Sequence, residues 1–282
     1  MKKWAAVVLG LVLAAAVPAA SLAQGRADRE TDMARTMQAI LAKGKDPAYV
    51  AKALEKQGAR FVGYRQNQVT FVNTGDAVVA TDSVTTAVGP DLQPTVTRSA
   101  QEGEVRPLAG EKADLTLTMW LYEWRNRDGT YSEQAMINGE WSDTEYSWLD
   151  DPLDVIDVRW IVGDLVYVSS TPYDGVQRDQ HTQGIASFTV GDQVENWDLF
   201  VNFRPSSSSV VGKWTNLFVN YTHTWFGVRL GITLGAGPNG STGSITLNTD
   251  AKTWTEGTGL AILIGARQDR GPVTTGQPVL AK

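Results

Sequence analysis

In residues 217–234, LFVNYTHTWFGVRLGITL, apolar and polar side chains alternate along most of the stretch. Leu217, Val219, Tyr221, His223 and Trp225 fall on one face of an extended chain, and Asn216, Phe218, Asn220, Thr222 and Thr224 fall on the other. That is the period-two pattern of a half-buried strand. A second run follows, in which Val228, Leu230, Ile232 and Leu234 alternate with Arg229, Gly231 and Thr233. Phe226-Gly227 between the runs allows either a tight turn or a bulge that bends one long strand.

Working outward, the same chemistry recurs over Leu115–Trp124, Tyr131–Trp141, Val155–Val162, Leu165–Ser169, Ile185–Val190, Trp197–Arg204, Ile245–Asn248 and Leu260–Ile264. Asp128-Gly129, Asn138-Gly139, Gly163-Asp164, Asp174-Gly175, Gly191-Asp192 and Asn239-Gly240 are dipeptides suited to hairpin turns, and Asn138-Gly139 stands where it splits an expected strand in two. Short strands, turns between them and no intervening helices predict a mainly-β fold, an antiparallel two-layer β-sandwich of jelly-roll-like type over residues 114–266. Leu199, Val201, Phe203, Val219, Tyr221, Trp225, Val228, Leu230 and Ile232 are its expected core.

Upstream, Met33, Met37, Ile40 and Leu41 recur at helical spacing and Gly44 marks a helix end. Asp46-Pro47 then starts a second helix, with Val50, Ala51 and Leu54 on one stripe and Gly58 after it. Stripes this narrow predict helices docked on the sandwich. The alternative is a membrane-surface or partner-binding element, although Arg35, Lys43, Lys52, Glu55 and Lys56 make the polar face mixed rather than basic. Arg60 to Val72 reads as a hairpin around Arg65-Gln66-Asn67-Gln68. The expected organisation is a signal peptide over 1–23, a small helical and hairpin segment over 24–84, a Gly- and Pro-containing linker over 85–113, the sandwich over 114–266 and a flexible tail over 267–282.

The first of these follows from Lys2 and Lys3, the apolar run Ala5 to Val17, and a Ser21-Leu22-Ala23 ending suited to signal peptidase. The apolar run is shorter than the roughly 20 residues of a bilayer-spanning helix, so cleavage after Ala23 is expected in place of anchoring, with no transmembrane helix afterwards. The chain would then be secreted, periplasmic or extracellular. Loss of Lys2 and Lys3 takes the formal charge from −6 to −8, which excludes nucleic acid as the natural partner. With no cysteine anywhere, disulfides, thiolate metal sites and cysteine catalysis are excluded, and stability must come from core burial.

Tyr221-Thr222-His223-Thr224-Trp225, preceded by Asp151-Pro152-Leu153-Asp154-Val155-Ile156 and Trp160, resembles a loose group of exported, functionally uncharacterised β-rich proteins of archaea and bacteria. The short helical segment running into a Gly-aromatic strand, Leu54 to Tyr64, extends the likeness. The resemblance implies a sandwich-like fold and export, and transfers no activity or catalytic residue.

Candidate chemistry begins with Leu115–Trp124. Leu115, Leu117, Met119 and Leu121 share one face, while Trp120, Tyr122 and Trp124 share the other with Thr116 and Thr118. The aromatic face either packs beneath the helices or lies open as a ligand-binding platform for sugar rings. Asp150, Asp151, Asp154 and Asp157 crowd a loop-to-strand junction of the kind that holds calcium, the one metal or cofactor for which the sequence offers ligands, although no calcium-loop motif is present. Glu133, Glu140 and Glu145 are the carboxylates a sandwich-type glycoside hydrolase would use, but Glu140 and Asp143, three apart, point to opposite faces of a strand while Asp143 and Glu145 share one, and this spacing argues against an acid pair that brackets one bond. His181 and His223, the only histidines, make no His-rich metal site, and no serine elbow accompanies them. No catalytic residue is therefore assigned. The expectation is a non-enzymatic exported or surface-associated module that binds polysaccharide or another cell-envelope component; a glycoside hydrolase and a membrane-active bacteriocin-like toxin are the alternatives.

Overall fold

The computed structural model describes residues 25, 27–73, 78–100, 112–142, 153–191, 194–225, 231–237, 240–246 and 252–263. Two helices come first, α1 (residues 27–41) and α2 (Pro47–Glu55). Asp46 caps α2 by accepting the Tyr49 backbone N–H at 2.9 Å, Pro47 occupies its first turn, and Gly58 follows at φ +69°, a left-handed value that only glycine adopts freely.

The strands are β1 (Ala59–Asn73), β2 (Val78–Val88), β3 (Pro94–Ala100), β4 (Lys112–Arg125), β5 (Tyr131–Trp141), β6 (Asp154–Trp160), β7 (Leu165–Pro172), β8 (Gln177–Thr182), β9 (Ile185–Val190), β10 (Asn196–Pro205), β11 (Trp214–Trp225), β12 (Gly231–Gly237), β13 (Gly240–Thr246) and β14 (Lys252–Leu263). A seven-stranded sheet runs β3-β2-β1-β4-β5-β10-β7, a five-stranded sheet runs β14-β11-β6-β9-β8, and β12 pairs with β13. All these pairings are antiparallel. The protein is thus mainly β, an antiparallel β-sandwich with an N-terminal helical segment. Among the described residues no helix is long and apolar enough to cross a membrane.

Burial divides along the faces of β4. Leu115, Leu117, Met119 and Leu121 point into the inter-sheet core with Ala135, Ile137, Leu199, Val201 and Phe203 from their own sheet. Ile156, Val158, Phe188, Leu217, Val219 and Tyr221 meet them from the other sheet. Trp120, Tyr122 and Trp124 point the opposite way, into a second core with Met33, Met37, Ile40, Val50 and Leu54 of the helices. The seven-stranded sheet is therefore the middle layer of three. Leu199, Val201, Phe203, Val219 and Tyr221 are buried as expected. Val228 and Leu230, and the side chains of Trp225 and Ile232, lie outside the described residues.

The upstream half differs from the sequence reading in three ways. Residues 59–73 form one long strand rather than a hairpin, because Arg65-Gln66-Asn67-Gln68 pairs on both sides, with β2 and with β4. The stretch read as a linker contains the end of β2 and all of β3, and these extend the main sheet. Residues 24–84 and the sandwich consequently share one sheet. Asn138-Gly139 lies within β5 and is not a turn. Gly139 is required there because a Cβ at that position would stand 2.2 Å from the Trp197 ring. Downstream, the polar run Gln177–Thr182 forms β8, the outermost strand of its sheet, whose exposed side chains suit an edge.

One end of the inter-sheet core is ionisable. Glu133 and Glu123 stand opposite each other on β5 and β4, both 2 % exposed. Arg60 of β1, across from Glu123, donates to Glu123 Oε1 from Nε at 2.8 Å and from Nη2 at 2.7 Å. Glu133 Oε1 is buried without a hydrogen-bond partner. Burial first, and then the Glu123 charge, push the Glu133 carboxyl up to about 8, against a smaller opposing pull from Arg60.

Two outcomes follow from this packing. Gly139→Ala should lower stability by about 1–3 kcal/mol in urea unfolding, and combining it with Trp197→Phe should return part of the loss. For Glu133 the unfolded carboxyl ionises near 4.5 while the folded one keeps its proton to about 8. The native state therefore binds the extra proton between those values, and its contribution falls by ~1.4 kcal/mol for each pH unit gained in that window. Unfolding titrations from pH 5 to 8 should show Glu133→Gln losing less stability than the parent chain, and identical slopes would contradict a buried, protonated Glu133.

Candidate functional site

Strand β4 presents Trp124, Tyr122 and Trp120 to the helices and then, further back along the same face, Thr118 and Thr116. The helical cover follows that order. Glu30, in the first turn of α1, lies over the row of Gln134 and Asn202. Gln134 Nε2 donates to the Glu30 carbonyl at 3.1 Å and to Asn202 Oδ1 at 2.6 Å, and Gln134 Oε1 accepts the Tyr122 hydroxyl. Asn202 Nδ2 donates to Ser169 Oγ at 2.9 Å, and Ser169 donates to Glu30 Oε2 at 3.0 Å. This buried polar chain fixes the start of α1 on the sheet.

Beyond the other end of α1 the sheet opens into a cleft of about 300 Å³. Gln38, Leu41, Ala42 and Lys45 form its helical wall. Its floor is sheet: Tyr64 and Gln66 of β1, Thr116, Thr118 and Trp120 of β4, Met136, Asn138 and Glu140 of β5, and Asp198 of β10. The register makes these a contiguous lattice, with Gln66 beside Thr118, Thr118 beside Asn138 and Asn138 beside Asp198. Tyr64 and Trp120 lie with ring centroids 4.2 Å apart at the apolar end.

The polar groups are held in place. Asn138 Nδ2 donates to Asp198 Oδ1 at 2.9 Å and to the Trp197 carbonyl at 3.1 Å, and Gln38 Nε2 donates to Asp198 Oδ2 at 3.4 Å. Lys45 Nζ lies 3.5 Å from Glu140 Oε2 across the mouth. Burial raises the Asp198 carboxyl above its ordinary range; the two amide hydrogen bonds oppose this, Asp174 adds to it and Lys45 counters. Burial likewise pushes the Tyr64 phenol up to about 12, so it remains a neutral hydroxyl. A larger groove of about 410 Å³ separates α1 from α2, lined by Ile40, Tyr49 and Ala53 with Lys43, Lys52 and Lys56. The sheet-side cleft is the one that combines fixed carboxylate, amide and hydroxyl groups with an aromatic pair.

The residues singled out from the sequence fare unevenly. The open aromatic platform is corrected: Trp120, Tyr122 and Trp124 are buried to 2 %, 0 % and 2 % exposure because the helices cover them. The Tyr122 hydroxyl is spent on Gln134, and Arg29 sits 6.0 Å over the Trp124 ring. Trp120 alone of the three borders the cleft. The calcium set is also corrected. Asp154 faces the inter-sheet core and accepts the Tyr221 hydroxyl, while Asp157, three residues on and across the strand, accepts Ser187 Oγ at 2.6 Å and Arg159 Nη2 at 2.9 Å. Two carboxylates on opposite faces of β6 do not share one cation. Asp150 and Asp151 lie outside the described residues, and no group of three potential metal ligands occurs among those described.

Glu133 and Glu140, seven apart on β5, also point to opposite faces, the first into the inter-sheet core and the second to the cleft mouth. Glu145 lies outside the described residues. His181 stacks by Tyr167 at 4.7 Å on the edge strand β8; the His223 side chain lies outside the description. What the sequence reading missed is Gln66, Asn138 and Asp198. The first two stood in runs taken for turns; the third lacked any local signal. The usable sign was the change from Trp and Tyr to Thr along one face of β4. No protein-family model and no curated protein matches this chain.

Proposed function

We propose that this chain is an exported, non-enzymatic binding protein whose cleft takes a short stretch of glycan, from a polysaccharide or another cell-envelope carbohydrate. The observation that carries the reading is the cleft floor, a lattice of hydroxyl, amide and carboxylate groups on Gln66, Thr116, Asn138, Glu140 and Asp198, closed at its apolar end by the buried Tyr64–Trp120 pair. Sugars ask for this combination. Their ring hydroxyls need donors and acceptors at fixed spacing. Inter-strand spacings of about 4.8 Å place Gln66, Thr118, Asn138 and Asp198 in a row roughly 14 Å long, enough for two or three sugar units. Prior fixing of Asn138 and Asp198 by their own hydrogen bonds reduces the ordering cost on binding. Export is supported by the charged, apolar and small-residue sequence of Lys2 to Ala23.

Calorimetric titration with soluble oligosaccharides of common envelope polymers tests this. At least one should bind, and Gln66→Ala with Thr116→Val should weaken it by about tenfold, as expected for two hydrogen bonds of roughly 0.5–1.5 kcal/mol. Absence of binding across the panel would overturn the proposal, and release of shortened product would replace it with an enzyme.

A further inference from the structure

Building on that glycan reading, we propose that the cleft selects sugars carrying a free amine, with the ligand ammonium seated against Asp198 and the rest of the sugar chain running past Asn138 toward Gln66. The charges of the lining are Asp198, Glu140 and Lys45. Lys45 is engaged by Glu140 at 3.5 Å, whereas the hydrogen bonds on Asp198 come from the neutral amides of Asn138 and Gln38. Asp174 adds further negative potential from outside the lining, and Lys45, already engaged, gives Asp198 only partial relief.

The cleft thus carries one carboxylate in excess, partly withdrawn from water. A neutral hydroxyl would satisfy its hydrogen bonding and leave its charge unbalanced. A ligand carboxylate would be repelled. A primary ammonium supplies three donors and the missing charge together, forming a charge-assisted bond stronger than a neutral one. Gln66 lies three strands away from Asp198, about 14 Å, so one ligand spans two or three sugar units and only one of them meets the carboxylate. N-acetylation removes the charge and adds bulk at the same nitrogen, so free-amine and acetylated forms of one oligosaccharide separate this inference from the general one.

The experiment titrates the purified chain with β-1,4-linked glucosamine oligomers and with the matching N-acetylglucosamine oligomers over a series of pH values, because the contact needs the amine protonated and the Asp198 carboxyl, raised by burial, ionised. The amine form should bind at least about tenfold more tightly, and added salt should narrow the gap. Asp198→Asn keeps the side-chain shape and should abolish the preference while leaving thermal unfolding near that of the parent. Lys45→Ala frees Glu140, adds a second uncompensated carboxylate and should widen the preference. Equal binding of the two oligomers, or a preference that survives Asp198→Asn, would overturn the amine assignment and leave the glycan reading intact. Binding of neither oligomer, with another neutral sugar bound, would also overturn it; binding of no sugar at all would remove both.

Discussion

Everything in this fold depends on β4 being buried on both sides. A strand in an ordinary two-layer sandwich turns one face to water and alternates apolar with polar residues. β4 instead alternates leucine and methionine with tryptophan and tyrosine, and neither set is exposed. The aliphatic face takes the second sheet, so the aromatic face requires a third layer. The helices supply it with Met33, Met37, Ile40, Val50 and Leu54. Each fully buried side chain of that size is worth roughly 1.5–3 kcal/mol, so two nine-to-fifteen-residue helices that would be marginal in isolation are held by packing rather than by propensity.

Burying both faces of a sheet also encloses the polar groups its strands carry, and the protein meets this in two ways. Beneath α1, Tyr122, Gln134, Asn202, Ser169 and Glu30 bond one another in sequence, so the enclosed amides retain partners. Between the sheets, Asp154 accepts the Tyr221 hydroxyl, which in turn accepts the Trp141 indole N–H at 3.2 Å. Glu133 is handled differently. Its neighbour Glu123 holds the Arg60 guanidinium through two hydrogen bonds, and the remaining carboxyl stays neutral by keeping its proton. The cost of an unpaired buried anion is thereby avoided at neutral pH.

These features set what the sequence could disclose. Alternation identified β4, β5, β9, β10 and β11 because one partner layer suffices to fix a period-two pattern, and the caps around Asp46, Gly44 and Gly58 identified the helices. The failures share a cause. Arg65-Gln66-Asn67-Gln68 and Asn138-Gly139 look like turns locally, but they lie in central strands paired on both sides, where long-range partners decide. Gly139 is there for the Trp197 ring, a residue 58 positions away. Gln177–Thr182 carries no apolar face because it is an edge strand with nothing to bury. Whether Trp120, Tyr122 and Trp124 were open or covered was undecidable from β4 alone, since the helical stripe that covers them is narrow and distant in sequence.

The cleft follows from a mismatch of lengths. Fourteen residues of β4 extend roughly 47 Å, whereas fifteen residues of α1 extend about 22 Å, so helices laid on this sheet leave part of it uncovered. The aromatic face of β4 ends near the edge of that cover: Trp124, Tyr122 and Trp120 lie under helix, Thr118 is still buried, and Thr116 beyond it is partly exposed. Gly44 and Asp46-Pro47 turn the chain at this boundary, placing Lys45 within reach of Glu140. The same stop signals that bound the helices therefore set the position of the cleft. Its polar floor is the part of the sheet that the third layer does not reach, kept polar because water or a ligand, not leucine, meets it there.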